Sequence, residues 1–289
     1  MPFVFHYSAG PRLRILETSV KQTDMHNLMF NNLLEVEWGV FLIVGVILLL
    51  SAEFGYRVGL RNSPEKRKVN HAPSGALQAA LLGLLGLLLG FTFAMAVGRF
   101  DARRQLVLDE SNAIGTAWLR AGFLSDFGKQ TERITLMDYI DARLLAANLA
   151  PDSEEFKKQL TRSETDQAAM WRTAVAEMKA VNAPSTSLFT TSLNDLIDLD
   201  SKRQMASRNH VPSSVWLLLM LVSCTVCWAT GYTTGLGESG RFALAMFILP
   251  ILITIVITII SDLDNPRHGL IQVSQRSMLD VQQTLQKYQ

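Results

Sequence analysis

Residues 75–98 read GALQAALLGLLGLLLGFTFAMAVG and are followed at once by RFDARR, residues 99–104. The first stretch holds 24 positions without a charge. As α-helix it is about 36 Å long, more than the ~30 Å of a bilayer's hydrocarbon core. Gly83, Gly86 and Gly90 recur on it at helical spacing. Gly86 and Gly90 form a G-xxx-G pair, which allows two membrane helices to approach closely. The stretch reads as a membrane helix that needs near neighbours and runs on into a charged helix. That combination fits an assembled, channel-type protein better than a simple anchor.

Three further runs qualify as spans: 36–59, 214–235 and 242–261. The third lies inside a charge-free run over 211–237, and Pro250 sits near the middle of the fourth. Trp38, Tyr56, Trp216 and Tyr232 fall near span ends, where amphipathic rings settle at the headgroups. The 289 residues are 48% hydrophobic with a net charge of +1. The mean hydropathy is +0.18. This composition points to the membrane and carries no basic signature for nucleic acid.

Between spans two and three no segment alternates as a strand does, so the chain is expected to be all-α. Leu106, Ile114, Ala117 and Trp118 have no breaker before Gly122, so span two is expected to leave the bilayer as one long helix. Ile134 to Leu145 marks a second helix. Pro-Asp-Ser at 151–153, with Glu154 and Glu155 behind it, starts a third. Pro184-Ser185 starts a fourth that is expected to lead into span three. The organisation read from these signals is an N-terminal arm (1–35), spans one and two (36–98), a helical extramembrane domain (99–212), spans three and four (213–261) and a C-terminal segment (262–289).

Four spans put both termini and the domain on one side. The short first connection, 61–74, is basic through Arg61, Lys66, Arg67 and Lys68, and by charge bias it belongs in the cytoplasm. Arg99, Arg103, Arg104, Lys202, Arg203, Arg208, Arg267 and Arg276 make the domain side basic too, across longer segments whose charges count less. No secretory signal is visible before Trp38.

The run Leu89-Gly90-Phe91, with Arg99-Phe100 eight residues after the phenylalanine, resembles the second membrane helix of bestrophins. Together with RFDARR, with DESNAIGTAWLRA at 109–121 and with DLDNPRHGLIQVS at 262–274, it resembles the bacterial bestrophin-like membrane proteins. The resemblance implies a homo-oligomer, pentameric as bestrophins are, in the inner membrane with its domain in the cytoplasm, passing inorganic anions along an axis lined by span two. Phe91 would then match a neck aromatic, with Leu87 one turn before it. An apolar ring of this kind gates by dewetting. Arg99, Arg103 and Arg104 at the pore exit would concentrate anions. Gly83, Gly86 and Gly90 would serve helix packing. Animal bestrophins bind calcium with an acidic cluster after the last span, whereas only Asp262 and Asp264 stand here. Two carboxylates fall short of the six or more oxygens that ion wants. A helix end and an ion-pair partner for Arg99 or Arg103 is the commoner role.

No catalytic signature, metal-ligand spacing or cofactor motif stands out, so an enzyme is not expected. His6, His26, His71, His210 and His268 show no paired spacing. Cys224 and Cys227 share a helical face inside an apolar run and read as small packing residues. Glu154, Glu155, Asp195, Asp198 and Asp200 read as solvated helix faces. Glu53 with Arg57 one turn on reads as a structural pair. The competing functional reading is a non-conducting membrane scaffold whose domain recruits a partner or senses the envelope.

Overall fold

A computed structural model describes residues 38–61, 64–150, 153–180, 183–237, 244–265 and 270–288, with backbone alone for 64–74 and 245. The regular structure among them is helical: α1 (Trp38–Leu60), α2 (Pro64–Ala121), α3 (Asp126–Ala147), α4 (Glu154–Ala180), α5 (Pro184–Arg208), α6 (Ser213–Leu236), α7 (Ala245–Asp264) and α8 (Arg276–Gln286). Four candidate spans are long and apolar enough to cross a membrane. The protein is therefore an all-α membrane protein with four candidate spans. The expected N-terminal arm and the side chains of Lys66, Arg67 and Lys68 lie outside the described residues.

The long helix is α2. Its 58 residues extend about 87 Å, from the apolar bundle to the far end of the domain. It starts at Pro64, so most of the basic connection expected over 61–74 is its first turns instead. Proline suits that position because the first helical N–H lacks a partner in any case. A second departure lies at 209–212. There the chain leaves the helix between α5 and α6, with Pro212 as the N-cap of α6, so α5 leads into span three as expected but through a short break.

In the apolar bundle, Val44, Leu48, Ala52 and Tyr56 of α1 pack on Leu219, Val222, Val226 and Cys227 of α6 and on Met246, Ile253 and Ile257 of α7. The α1–α6 contact is the tightest. A side chain at Gly55 would drive into the carbonyl of Trp228, and one at Gly231 into that of Ala52. One turn on, a Cβ at Gly59 or Gly235 would stand 2.5 Å from the carbonyl oxygen of Tyr232 or Tyr56. Two G-xxx-G pairs, one per helix, thus bring the backbones together. The Ser51 hydroxyl adds a bond to the Cys224 carbonyl at 2.8 Å. Gln78 of α2 donates to Thr230 Oγ1 at 3.0 Å and accepts from Thr233 Oγ1 at 2.8 Å.

Outside the bundle a separate core forms around Trp118, Tyr139, Phe189, Leu193 and Leu196, with Ile114, Leu136, Ile140 and Met170. Met278 and Leu285 of α8 fold back into it. The C-terminal helix therefore closes the domain built on the outer half of α2.

Candidate functional site

Among the described residues, one face of α2 is left without a partner inside the chain. From Leu84 through Leu87, Phe91, Gly98, Asp101, Gln105 and Asn112 to Leu119, exposed residues follow in steps of three, four or seven. Such steps trace one stripe along a helix. Leu87 is 55% and Phe91 64% exposed. A Cβ at Gly83, Gly86 or Gly90 would meet nothing within 4 Å. The three glycines make no close contact among the described residues, and the close-contact role in the fold falls to Gly55, Gly59, Gly231 and Gly235. Only 17% of the apolar window of α2 is buried.

The three arginines after this window part company. Arg99 donates to Asn209 Oδ1 at 2.9 Å. Arg104 is exposed. Arg103 departs from the expectation of a pore-exit charge, because it is 5% exposed. Its guanidinium donates to the carbonyls of Ala206 (3.0 Å), Asn209 (2.8 Å), Leu263 (3.3 Å) and Asp264 (3.1 Å). Those carbonyls lie at the C-terminal ends of α5 and α7, where the helix dipoles favour a cation. Arg103 is thus a clamp that draws two helix ends onto α2. Asp264 supports it from behind, with both carboxylate oxygens accepting the Val211 N–H at 3.0 Å. Asp262 accepts the N–H of Ile271 at 3.1 Å. These acids hold backbone at a helix end, as expected. The expected partner, Arg103, binds the Asp264 carbonyl rather than forming a hydrogen bond to its carboxylate.

Two turns beyond the clamp, α2 carries a wholly buried acid, Glu110. It accepts from Tyr139 Oη at 2.6 Å, Arg143 Nε at 3.0 Å and Arg203 Nη1 at 2.5 Å. Arg143 Nη1 reaches Asp200 Oδ1 at 2.8 Å, and Gln167 donates to Asp200 Oδ2 at 2.8 Å. Arg203 Nη2 donates to Gln275 Oε1 at 2.7 Å. One network therefore joins α2, α3, α4, α5 and the start of α8. Burial by itself would depress Arg143, but Glu110, Tyr139 and Asp200 outweigh it and hold the guanidinium above its ordinary value. Burial, then the Glu110 carboxylate, raises the Tyr139 phenol well above its ordinary value. Asp200 corrects the expectation of a solvated face: Asp195 and Asp198 are exposed, while Asp200 is buried.

A pair of buried acids, Glu132 and Glu177, lies at the far end of the domain. Ser125 caps α3, its hydroxyl accepting from Gly128 N–H at 3.1 Å. The same residue holds Glu177 of α4, donating from Oγ at 2.6 Å and from its N–H at 3.0 Å. Gly128 leaves room for that carboxyl, since a Cβ there would lie 2.6 Å from Glu177 Cδ. Glu132, one turn further along α3, is fully buried, and neither of its oxygens has a hydrogen-bond partner among the described residues. Burial first, and then the Glu177 charge, pushes its carboxyl up to about 8. Nearby Arg133 lays its guanidinium over the Trp118 ring, 4.8 Å from the centroid. Among the described residues no group of three or more His, Cys, Asp or Glu is placed to hold a metal ion.

The fold has known counterparts. A family model for the Bestrophin-like domain matches residues 40–278. The chain belongs to the Bestrophin-like family. Among solved structures, a variant of a bacterial bestrophin homologue from Klebsiella pneumoniae matches with TM-score 0.59 at 12% identity, over 90% of this chain and 98% of that one. A second variant of that homologue matches with TM-score 0.60 at 12% identity, over 86% and 97%. A structure described as a membrane protein variant matches with TM-score 0.61 at 12% identity, over 86% and 96%. A search of curated proteins finds no match. At such identities the likeness is one of fold.

Proposed function

We propose that this protein is an oligomeric membrane ion channel, a homopentamer in which α2 of each copy surrounds the axis. The observation that carries the reading is the unpartnered stripe of α2, continuous from the apolar bundle to the tip of the domain. A rod about 87 Å long with one face open along most of its length calls for copies of itself. Membership of the Bestrophin-like family supports the same assembly. Leu87 and Phe91 then form the narrowest apolar ring, and Gly83, Gly86 and Gly90 let neighbouring helices approach it. The resemblance also supports an inner-membrane location with the domain in the cytoplasm. A reporter enzyme fused after Gln289 should be active only in the cytoplasm, and activity outside would reverse the orientation.

The test of conduction is electrical. Alanine at both Leu87 and Phe91 widens the ring and lowers its dewetting barrier. Flux through the purified protein in planar bilayers should rise severalfold over the unaltered chain. Silence of both proteins despite intact oligomers would favour the scaffold reading. One feature speaks for that alternative: Leu119, Phe123 and Phe127 stand 72%, 54% and 76% exposed at the far end of the domain, an apolar surface that a partner could cover. Anion conduction, which the resemblance supports, leaned on three arginines. Arg103 is buried against helix ends, so the local charge argument for anions rests on Arg99 and Arg104, which keep their charge at the surface.

A further inference from the structure

A cavity of about 320 Å³ opens between α1 and the start of α7, lined by Val46, Leu49, Leu50, Glu53, Met246 and Phe247. Val46, Leu50 and Phe247 are exposed, while Met246 is buried. At about 100° per residue, Val46, Leu50, Glu53 and Arg57 lie within about 40° of the line opposite Gly55. Gly55 is where α6 touches α1, so this row looks away from that contact. The exposed Arg61, one turn past Arg57 at the end of α1, continues it. On α6, Trp228 and Tyr232 stack with ring centroids 5.3 Å apart, and the Tyr232 carbonyl stands against Gly59. Aromatic rings near span ends settle among headgroups, which puts Arg57 and Arg61 at that level. Leu50 and Val46 lie about 10 and 16 Å deeper than Arg57 along the helix. Glu53 comes between them. Its carboxylate accepts from Arg57 Nε at 2.8 Å, and its side chain is 24% exposed against 67% for Arg57.

We propose that this row and its cavity bind one anionic phospholipid, of the phosphatidylglycerol type, in the leaflet away from the extramembrane domain. An acyl chain occupies the apolar cavity, and the phosphate sits on Arg57 and Arg61. The order in depth is that of the lipid itself: apolar cavity, then the carboxylate-held guanidinium, then the second arginine. A guanidinium carries five N–H donors in a fixed fork. The bond through Nε sets the plane of Arg57, and its other donors match the oxygens of a phosphate. Glu53 is thus a positioning residue, which orients Arg57 at the expense of one negative charge in the row. Glu53, Arg57 and Arg61 sum to a single positive charge, which favours a headgroup of net negative charge over a zwitterionic one. One such charge near a membrane surface favours anionic lipid by about fivefold. The site depends on the four-span fold and not on conduction.

Native mass spectrometry of the detergent-purified protein, with phosphatidylglycerol and phosphatidylcholine of identical chains, measures the binding. The unaltered protein should hold phosphatidylglycerol roughly fivefold tighter. Arg57→Gln together with Arg61→Gln should bring that ratio toward one. Leu50→Trp fills the cavity and should weaken both lipids. Glu53→Gln keeps an acceptor for Arg57 Nε and should retain the preference. Glu53→Leu removes the acceptor and should lower the preference, although the row then gains positive charge. Circular dichroism checks that each variant is folded, and the ratio for the unaltered protein needs no variant. Equal binding of the two lipids, a preference untouched by the paired arginine changes, or undiminished binding to the Leu50→Trp protein overturns the site. No bound lipid at all also overturns it and leaves the cavity to a neighbouring copy. Tighter phosphatidylglycerol binding by the Glu53→Leu protein overturns the positioning role of Glu53.

Discussion

Replacing Glu110 with alanine should destabilise the extramembrane domain by about 3–5 kcal/mol. The acid is the hub for three donors, Tyr139, Arg143 and Arg203, on two other helices. Its loss leaves Arg143, 5% exposed, with Asp200 as its remaining ionic partner, and leaves Tyr139 without its acceptor. A buried charge robbed of its counter-ion costs far more than the pair contributed, because neither water nor another acceptor replaces it. For a domain of this size the loss corresponds to a fall of about 10 °C or more in melting temperature. Tryptophan fluorescence of the detergent-solubilised protein would follow it through Trp118 and Trp171. Glutamine at 110 keeps an acceptor and should fall between. A melting temperature within about 2 °C of the parent for the alanine protein would show that the network contributes little.

The second large effect is one of pH. Glu132 carries a folded value of about 8 against 4.5 for the free carboxyl. Between those two values the folded protein keeps the proton and the unfolded chain releases it. The unfolded state then binds fewer protons, so stability falls as pH rises from about 4.5 to about 8 and levels off above. Glutamine at 132 stands in for the protonated acid and removes that slope. The variant should match the parent near pH 4.5 and exceed it at pH 8 by an amount on the order of 3–5 kcal/mol. Guanidinium unfolding at a series of pH values measures both curves. Parallel curves across the whole range would mean that Glu132 ionises without cost.

The spans and the domain helices were legible because each repeats its signal over many residues. A run of 24 uncharged positions needs no partner to be recognised, and Pro184 or Ser153 marks a helix start locally. The Ser153 reading has its hydrogen bond, from the Phe156 N–H at 3.1 Å. The polar interior was not legible. Glu110 meets Arg143 and Arg203 from 33 and 93 positions away, and each is one charged residue among many on its own helix. Asp200 differs from Asp198 only in the face it occupies. Glu132 sits in TERIT, which reads as a solvated turn until α4 covers it. The motif at 109–121 contained Glu110, and that was the one hint. The glycines divide in the same way. Gly55, Gly59, Gly231 and Gly235 carry the same G-xxx-G spacing as Gly86 and Gly90, but only the partner helix reveals which pairs are used within the chain. Among the three arginines of RFDARR, sequence gives equal charge and the fold gives unequal freedom.

The Arg103 clamp has a mechanical consequence. It pins α2 to two other helix ends about 18 Å from Phe91 and about 22 Å from Trp118, measured along the rod. The same rod is tied to the apolar bundle through Gln78 and to the domain core through Glu110. Load applied to the domain is therefore shared among three fixings along one continuous helix and passes into the bundle as tension or bending of that helix.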